Sequence, residues 1–244
     1  MLENLQDFIF TQPMLLHINP TDVFIVIPAY NENTIIRSVI QELLPCHYNI
    51  IVVDDGSVKP LFPLLNKMPA YFIRHKVNLG QGASLQTGIE FALTKQAKYI
   101  VTFDADGQHQ VSDIEKILQV LISEKVDIVC GSRFMDGSSH NMSFMRKALL
   151  QIARYINFFF TGLLLTDAHN GLRAITAEAA NKIKITENGM AHASEILYQI
   201  KKRKLRYREV PVTIHYTAYS RQKGQTLASS FRIFFDLLLN KIFK

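Results

Sequence analysis

Tryptophan is absent from this chain of 244 residues, and cysteine occurs only twice, as Cys46 and Cys130, each among apolar neighbours. Two separate thiols argue against a disulfide framework and a cysteine-held zinc, and they suit a reducing compartment such as the cytoplasm. Long hydrophobic runs are missing too: nothing approaches the roughly 20 apolar residues that span a bilayer. The nearest candidate, residues 155–165, is broken by Asn157, Thr161 and Gly162. Residues 1–19 contain acids but no basic leader, so no secretory signal is expected. Repeats and low-complexity tracts are lacking, and 48% hydrophobic with 20% charged residues is a globular balance rather than a disordered one. The net charge of +6 is too mild to demand nucleic acid. The basic residues concentrate late, as in Lys201-Lys202-Arg203-Lys204-Leu205-Arg206, which favours an anionic substrate or an anionic membrane surface.

What is present reads as alternating strands and helices. Val23-Phe24-Ile25-Val26-Ile27 is a continuous apolar run stopped by Pro28, the pattern of a buried parallel strand. Helical spacing over residues 34–44 puts Ile35, Val39, Leu43 and Leu44 on one side. Further strands are expected at 50–53, 71–73, 99–103 and 127–131, with helices ending near Thr94 and Ser123. Ser112 with Glu115 three residues later makes a capping box for the last of these helices. Residues 59–69 read as an irregular connection whose Leu61, Phe62, Leu64 and Leu65 cover the sheet. The alternation predicts an α/β chain with an open, mostly parallel, Rossmann-like sheet flanked by helices. Ligands of such sheets sit at the carboxyl ends of the strands. Residues 1–21 form an N-terminal extension, 22–218 the catalytic domain, and 219–244 a basic loop and an amphipathic helix.

The fourth strand ends in Asp104-Ala105-Asp106-Gly107-Gln108-His109. Residues i and i+2 of an extended backbone point the same way, so the two carboxylates converge. Two hard oxygen ligands at a strand tip suit a divalent cation whose other positions go to water and substrate phosphates. Taken alone, the same residues also fit a solvated turn.

The wider pattern resembles the family 2 glycosyltransferases, inverting enzymes with the GT-A fold, and within them the dolichol-phosphate mannosyltransferase and polyprenyl-phosphate sugar transferase branch. The resemblance rests on Val26-Ile27-Pro28-Ala29-Tyr30-Asn31-Glu32, Val52-Val53-Asp54-Asp55-Gly56-Ser57, Asn78-Leu79-Gly80-Gln81-Gly82, the Asp104–His109 segment and Gly131-Ser132-Arg133. It continues through Asp167, Asn170-Gly171-Leu172-Arg173 and Glu209-Val210-Pro211-Val212. It implies a donor site bordered by Pro28, Ala29, Tyr30, Glu32, Asp55, Gly82, Asp104 and Asp106, for a UDP- or GDP-sugar. Pro28 equally reads as a strand terminator, and Asp54 as a loop brace. Asp104, Asp106 and Gln108 would hold Mg2+ or Mn2+, with His109 a satisfied loop histidine outside the metal shell.

A polyprenyl phosphate is already an anion, so its transfer needs cations rather than a strong base. Arg133, Arg146 and Arg173 are candidates, because guanidinium groups grip phosphates bidentately. Arg173 also reads as a partner of Asp167. Arg221 and Lys223 lie in a stretch resembling the mobile acceptor loop of this branch. If the acceptor were instead a hydroxyl of a lipid-linked glycan, in capsule or lipopolysaccharide synthesis, a carboxylate base would be required, and Asp167 or Glu195 is placed for it. A non-catalytic nucleotide-sugar-binding protein is the reading from a different class. Two departures from the family pattern remove positive charge near the diphosphate: Gln81 and Gln86 stand where basic residues are common. Residues 142–165 and 227–244 are apolar and aromatic with interspersed Arg and Lys, as in helices that lie in a bilayer interface. The expected location is peripheral, at the cytoplasmic face of a membrane, with a small membrane protein or a second copy as partner.

Overall fold

The computed structural model describes residues 18–135, 154, 155, 158, 159 and 161–215. Seven strands form one sheet: β1 (Val23–Ala29), β2 (Asn49–Asp54), β3 (Tyr71–Arg74), β4 (Tyr99–Thr102), β5 (Ile128–Ser132), β6 (Arg173–Thr176) and β7 (Tyr207–Pro211). Their spatial order is β3-β2-β1-β4-β6-β5-β7. All pairings are parallel except those of β6, which runs antiparallel to both β4 and β5. From β1 the chain goes outward to β2 and β3, then returns to place β4 on β1's other side. The carboxyl ends of β1 and β4 therefore flank a topological switch point, where crevices form in open sheets.

Helices of the described residues include α1 (Ile36–Leu43), the short α2 (Phe62–Leu65), α3 (Gln81–Thr94), α4 (Ser112–Ser123), α5 (Ala177–Lys182) and α6 (His192–Lys202). Side chains of β1 alternate between two cores, as a period of two requires. Val23, Ile25 and Ile27 pack with Val39, Ile40, Ile114 and Ile117 of α1 and α4. Phe24 and Val26 pack with Leu85, Ile89, Ile196 and Ile200 of α3 and α6. Both faces of the strand are buried, which explains an unbroken apolar run. Gly88 lets α3 lie close on β1, for a Cβ there would fall 2.3 Å from Val26 Cγ1.

Four expectations need correction. Pro28 does not stop the first strand, which runs through Ala29. The Val26 carbonyl accepts from Phe103 N–H, so even-numbered residues of β1 face β4, and β4's pairing ends before it reaches Pro28. The missing proline N–H therefore costs no ladder bond. Ser112 is not an N-cap. It is already helical, Val111 stands at the cap without a side-chain bond, and Asp113 is instead fully buried, accepting from Thr213 N–H at 2.8 Å. Of the four apolar residues expected to cover the sheet, Leu61 and Leu65 are buried while Phe62 and Leu64 are exposed, because α2 turns only one side inward. Lastly, β6 and β7 extend a sheet of which only five strands were expected. Residues 216–244, with Arg221, Lys223 and the amphipathic stretch, and also Arg146, lie outside the described residues. Among the described residues no helix is long and apolar enough to cross a membrane.

Candidate active site

A cavity of about 520 Å³ opens at the switch point. It is lined from β1 by Pro28 and Ala29, from the following loop by Tyr30 and Glu32, and after β2 by Asp55. The loop after β4 contributes Asp104, Ala105 and Asp106, and β6 contributes Arg173. The start of α3 adds Gly80 and Gln81, and the segment leading into α6 adds Gly189, Met190, His192 and Ala193.

The two acids of the β4 loop are held in different ways. Asp104 Oδ2 lies 2.9 Å from His109 Nε2, and Oδ1 accepts from Gln81 Nε2 at 3.2 Å. Gly171 is what lets the backbone come so close, since a Cβ there would lie 2.3 Å from Asp104 Oδ2. Burial pushes Asp104 toward its neutral form, but the hydrogen bond and charge of His109, with the charge of Arg173, outweigh that and lower its pKa. Asp106 accepts from Gln108 N–H at 3.0 Å and Gln108 Nε2 at 2.7 Å. Burial and the negative charge of Asp104 raise its pKa to about 6. Two partly buried carboxylates, one of them raised by the charge of the other, make a natural seat for a cation.

The donor set fits the expected Mg2+ or Mn2+. It consists of carboxylate and amide oxygens, the ligands hard cations take. Among the described residues no group of three or more His, Cys, Asp or Glu forms a cage. An incomplete shell is what a cation shared with a substrate diphosphate requires. Gln108 would enter through its amide oxygen, which needs its present bond from Nε2 to Asp106 to turn away.

Several other expected residues serve the framework. Asp55 lines the cavity, yet its Oδ1 accepts from Leu79 N–H at 2.9 Å and lies 2.8 Å from His75 Nδ1, while Oδ2 accepts from Gly80 N–H at 2.7 Å. It thus ties the 75–80 loop to β2. Asp54 accepts from Ser57 N–H at 2.9 Å and Leu61 N–H at 3.1 Å, bracing its own loop. Gly82 is not among the cavity-lining residues. Its N–H donates to the Asn188 carbonyl at 2.7 Å, and a Cβ would fall 2.0 Å from the Glu187 carbonyl oxygen. Gln81 reaches Asp104, and Gln86 Oε1 accepts from Ile185 N–H at 2.8 Å, so both glutamines have structural work in place of the absent basic charges.

The two candidate bases are both occupied. Asp167, buried, takes a bidentate grip from Arg133, with Nε at 2.6 Å and Nη2 at 2.7 Å, and accepts Arg133 N–H as well. Burial alone would raise its pKa; the Arg133 charge and hydrogen bonds bring it below the usual carboxylate range. Asp167 therefore pairs with Arg133, not with Arg173, and neither member of that pair lines the cavity. Glu195 accepts from Thr186 N–H at 2.9 Å and Glu187 N–H at 2.9 Å, fixing the segment before α6, and it too lies off the cavity wall. Arg173, by contrast, is fully buried, donates to the Ala168 carbonyl at 3.3 Å, and faces the cavity. Sequence reasoning passed over His169 and His192, which also line it. In His192-Ala193-Ser194-Glu195 it favoured the carboxylate over the histidine three positions earlier.

Residues 24–184 match the sequence model of "Glycosyl transferase family 2". The chain is 37% identical over 230 residues to an uncharacterized protein of Methanocaldococcus jannaschii, covering 93% of this chain and 95% of that one. It is 33% identical over 243 residues to the UDP-N-acetylglucosamine--dolichyl-phosphate N-acetylglucosaminyltransferase of Methanococcus voltae, with 91% and 97% covered. Among solved structures it superposes on glucosyl-3-phosphoglycerate synthase of Mycobacterium tuberculosis, crystallised with Mn2+, UDP and glucosyl-3-phosphoglycerate. The TM-score is 0.64 at 15% identity, covering 88% of this chain and 77% of that one, a likeness of fold.

Proposed function

Because the chain belongs to glycosyl transferase family 2 and is a glycosyltransferase of GT-A fold, we propose that it moves a sugar from a nucleoside diphosphate, with inversion, to a polyprenyl phosphate at the cytoplasmic face of a membrane. One observation favours the phosphate acceptor over a hydroxyl. Asp167 and Glu195, the carboxylates that would serve as general base, are both spent on an arginine or on backbone N–H groups away from the cavity. A hydroxyl attacks a sugar carbon only when something takes its proton. A phosphate monoester already presents an ionised oxygen at neutral pH and needs no base to free one. The acceptor named for the Methanococcus voltae relative is of this class.

Within that reading the residues divide the donor along the sheet's rim. Pro28, Tyr30 and Glu32 border the nucleoside. Asp104 and Asp106, with Gln108, would hold the divalent cation, which when bound would supply Lewis-acid stabilisation of negative charge on a departing diphosphate. His109 and Gln81 fix the Asp104 carboxylate, so it needs no reorganisation when donor binds. Arg173 supplies a buried positive charge toward the anionic groups of the reaction.

The reading is tested by thermal-shift screening of UDP, GDP and their sugars with Mn2+, followed by analysis of the lipid product formed from polyprenyl phosphate. Stabilisation by a nucleoside diphosphate only with the metal, and a glycosyl phosphate lipid as product, are expected. Absence of stabilisation by every nucleotide tried would contradict it.

A further inference from the structure

A histidine on the cavity wall, His192, has no part in the scheme above. His192 opens α6 and its ring is buried. Nδ1 lies 2.8 Å from the Gly189 carbonyl oxygen, which can only accept, so the ring proton sits on Nδ1. Nε2 is then an acceptor, and it has no hydrogen-bond partner among the described residues. Burial and the nearby Arg173 charge hold the imidazole's pKa at about 4. The ring is neutral at ordinary pH and too weak a base to carry off a proton. Arg173, on the same wall, only donates. A hydroxyl accepts and donates at once, so a donor-only and an acceptor-only group lining one cavity are suited to reading one.

The sheet order says which hydroxyl. Along the rim run Asp55 after β2, Tyr30 after β1, the two acids after β4, and Arg173 on β6, while His192 closes the cavity from the start of α6, its Cβ 2.9 Å from where a Cβ on Gly82 would stand. With the diphosphate at the acids and the nucleoside over β1 and β2, the transferred sugar falls in the part of the cavity beside Asp104 that Arg173 and His192 share, both being near enough to act on that carboxylate. We propose that His192 is a specificity-determining residue, its Nε2 accepting a hydrogen bond from a hydroxyl of the donor sugar. This rests on the glycosyltransferase reading above.

Two substitutions separate recognition from support. In His192→Asn the side-chain N–H can still reach the Gly189 carbonyl, but nothing replaces Nε2. In His192→Gln the amide oxygen comes near the place of Nε2. Calorimetry with Mn2+ compares UDP-glucose, UDP-N-acetylglucosamine and GDP-mannose with UDP and GDP alone. For the sugar nucleotide that binds wild type best, His192→Asn is expected to bind about tenfold more weakly, the size of one lost hydrogen bond, and His192→Gln within about threefold of wild type. The bare nucleoside diphosphate should bind all three proteins alike. Full sugar-nucleotide affinity in His192→Asn overturns the inference, and so does an equal loss for sugar nucleotide and bare nucleotide, which is the mark of a structural role. Both results leave the glycosyltransferase standing. A wild type that binds none of the five compounds overturns that reading and this inference together.

Discussion

Asp104 and Asp106 are two positions apart and differ in how they hold a proton. His109 donates to one and fixes its charge; the other is raised to about 6 by burial and, after that, by its neighbour's charge. Asp106→Ala should reduce transfer at least about 100-fold in a labelled-sugar assay, since a cation ligand is lost from the point where charge develops. The Arg133–Asp167 pair predicts a stability effect instead. Asp167→Asn leaves a guanidinium facing a neutral amide, and urea unfolding at neutral pH should show a loss of about 3–5 kcal/mol. The carboxyl's pKa is depressed in the folded chain, so its contribution is present above the ordinary value near 4 and lost as pH falls through the folded one. Comparing acid unfolding of the two proteins should therefore show their difference shrinking below about pH 4. The acid pair was legible in the sequence because spacing alone brings its members together. Arg133 and Asp167 stand 34 positions apart, so nothing local in the sequence joins them.

At the scale of the element, the site depends on where backbones touch. The start of α3 lies against residues 187–189, and Gly82 is the point of closest approach. Gly82→Ala should destabilise the chain by about 1–3 kcal/mol in chemical denaturation, because the opposing carbonyl is backbone and cannot swing aside. Glu195→Gln keeps the oxygen that accepts from Thr186 but loses charge; it should lower the melting temperature while transfer per folded molecule changes less than about tenfold. A general base would show the reverse, with near-complete loss of turnover at unchanged stability. β1 and β2 were readable from apolar runs, and β4 from its run into the acids. β6 was not, for its four residues begin with a buried arginine and show no alternation. The failed capping box at Ser112 has a similar cause: a local motif lost to a tertiary one, the burial of Asp113 against residue 213.

At the scale of the molecule, seven strands in one sheet bring residues from β1, β2, β4 and β6 to one rim, across which the proposed donor would lie. The sequence specified the half before Arg133 well, since each parallel strand announces itself and ends in polar residues. The later half was legible only as fragments, because its antiparallel strand and long connections carry no period. The central claim is that the acceptor arrives already charged. The most direct measurement supplies the protein, Mn2+ and its best labelled nucleotide sugar with polyprenyl monophosphate in one arm and unphosphorylated polyprenol in the other. The account predicts label in the lipid of the first arm alone. Label in polyprenol, or none in the polyprenyl monophosphate arm, would contradict it.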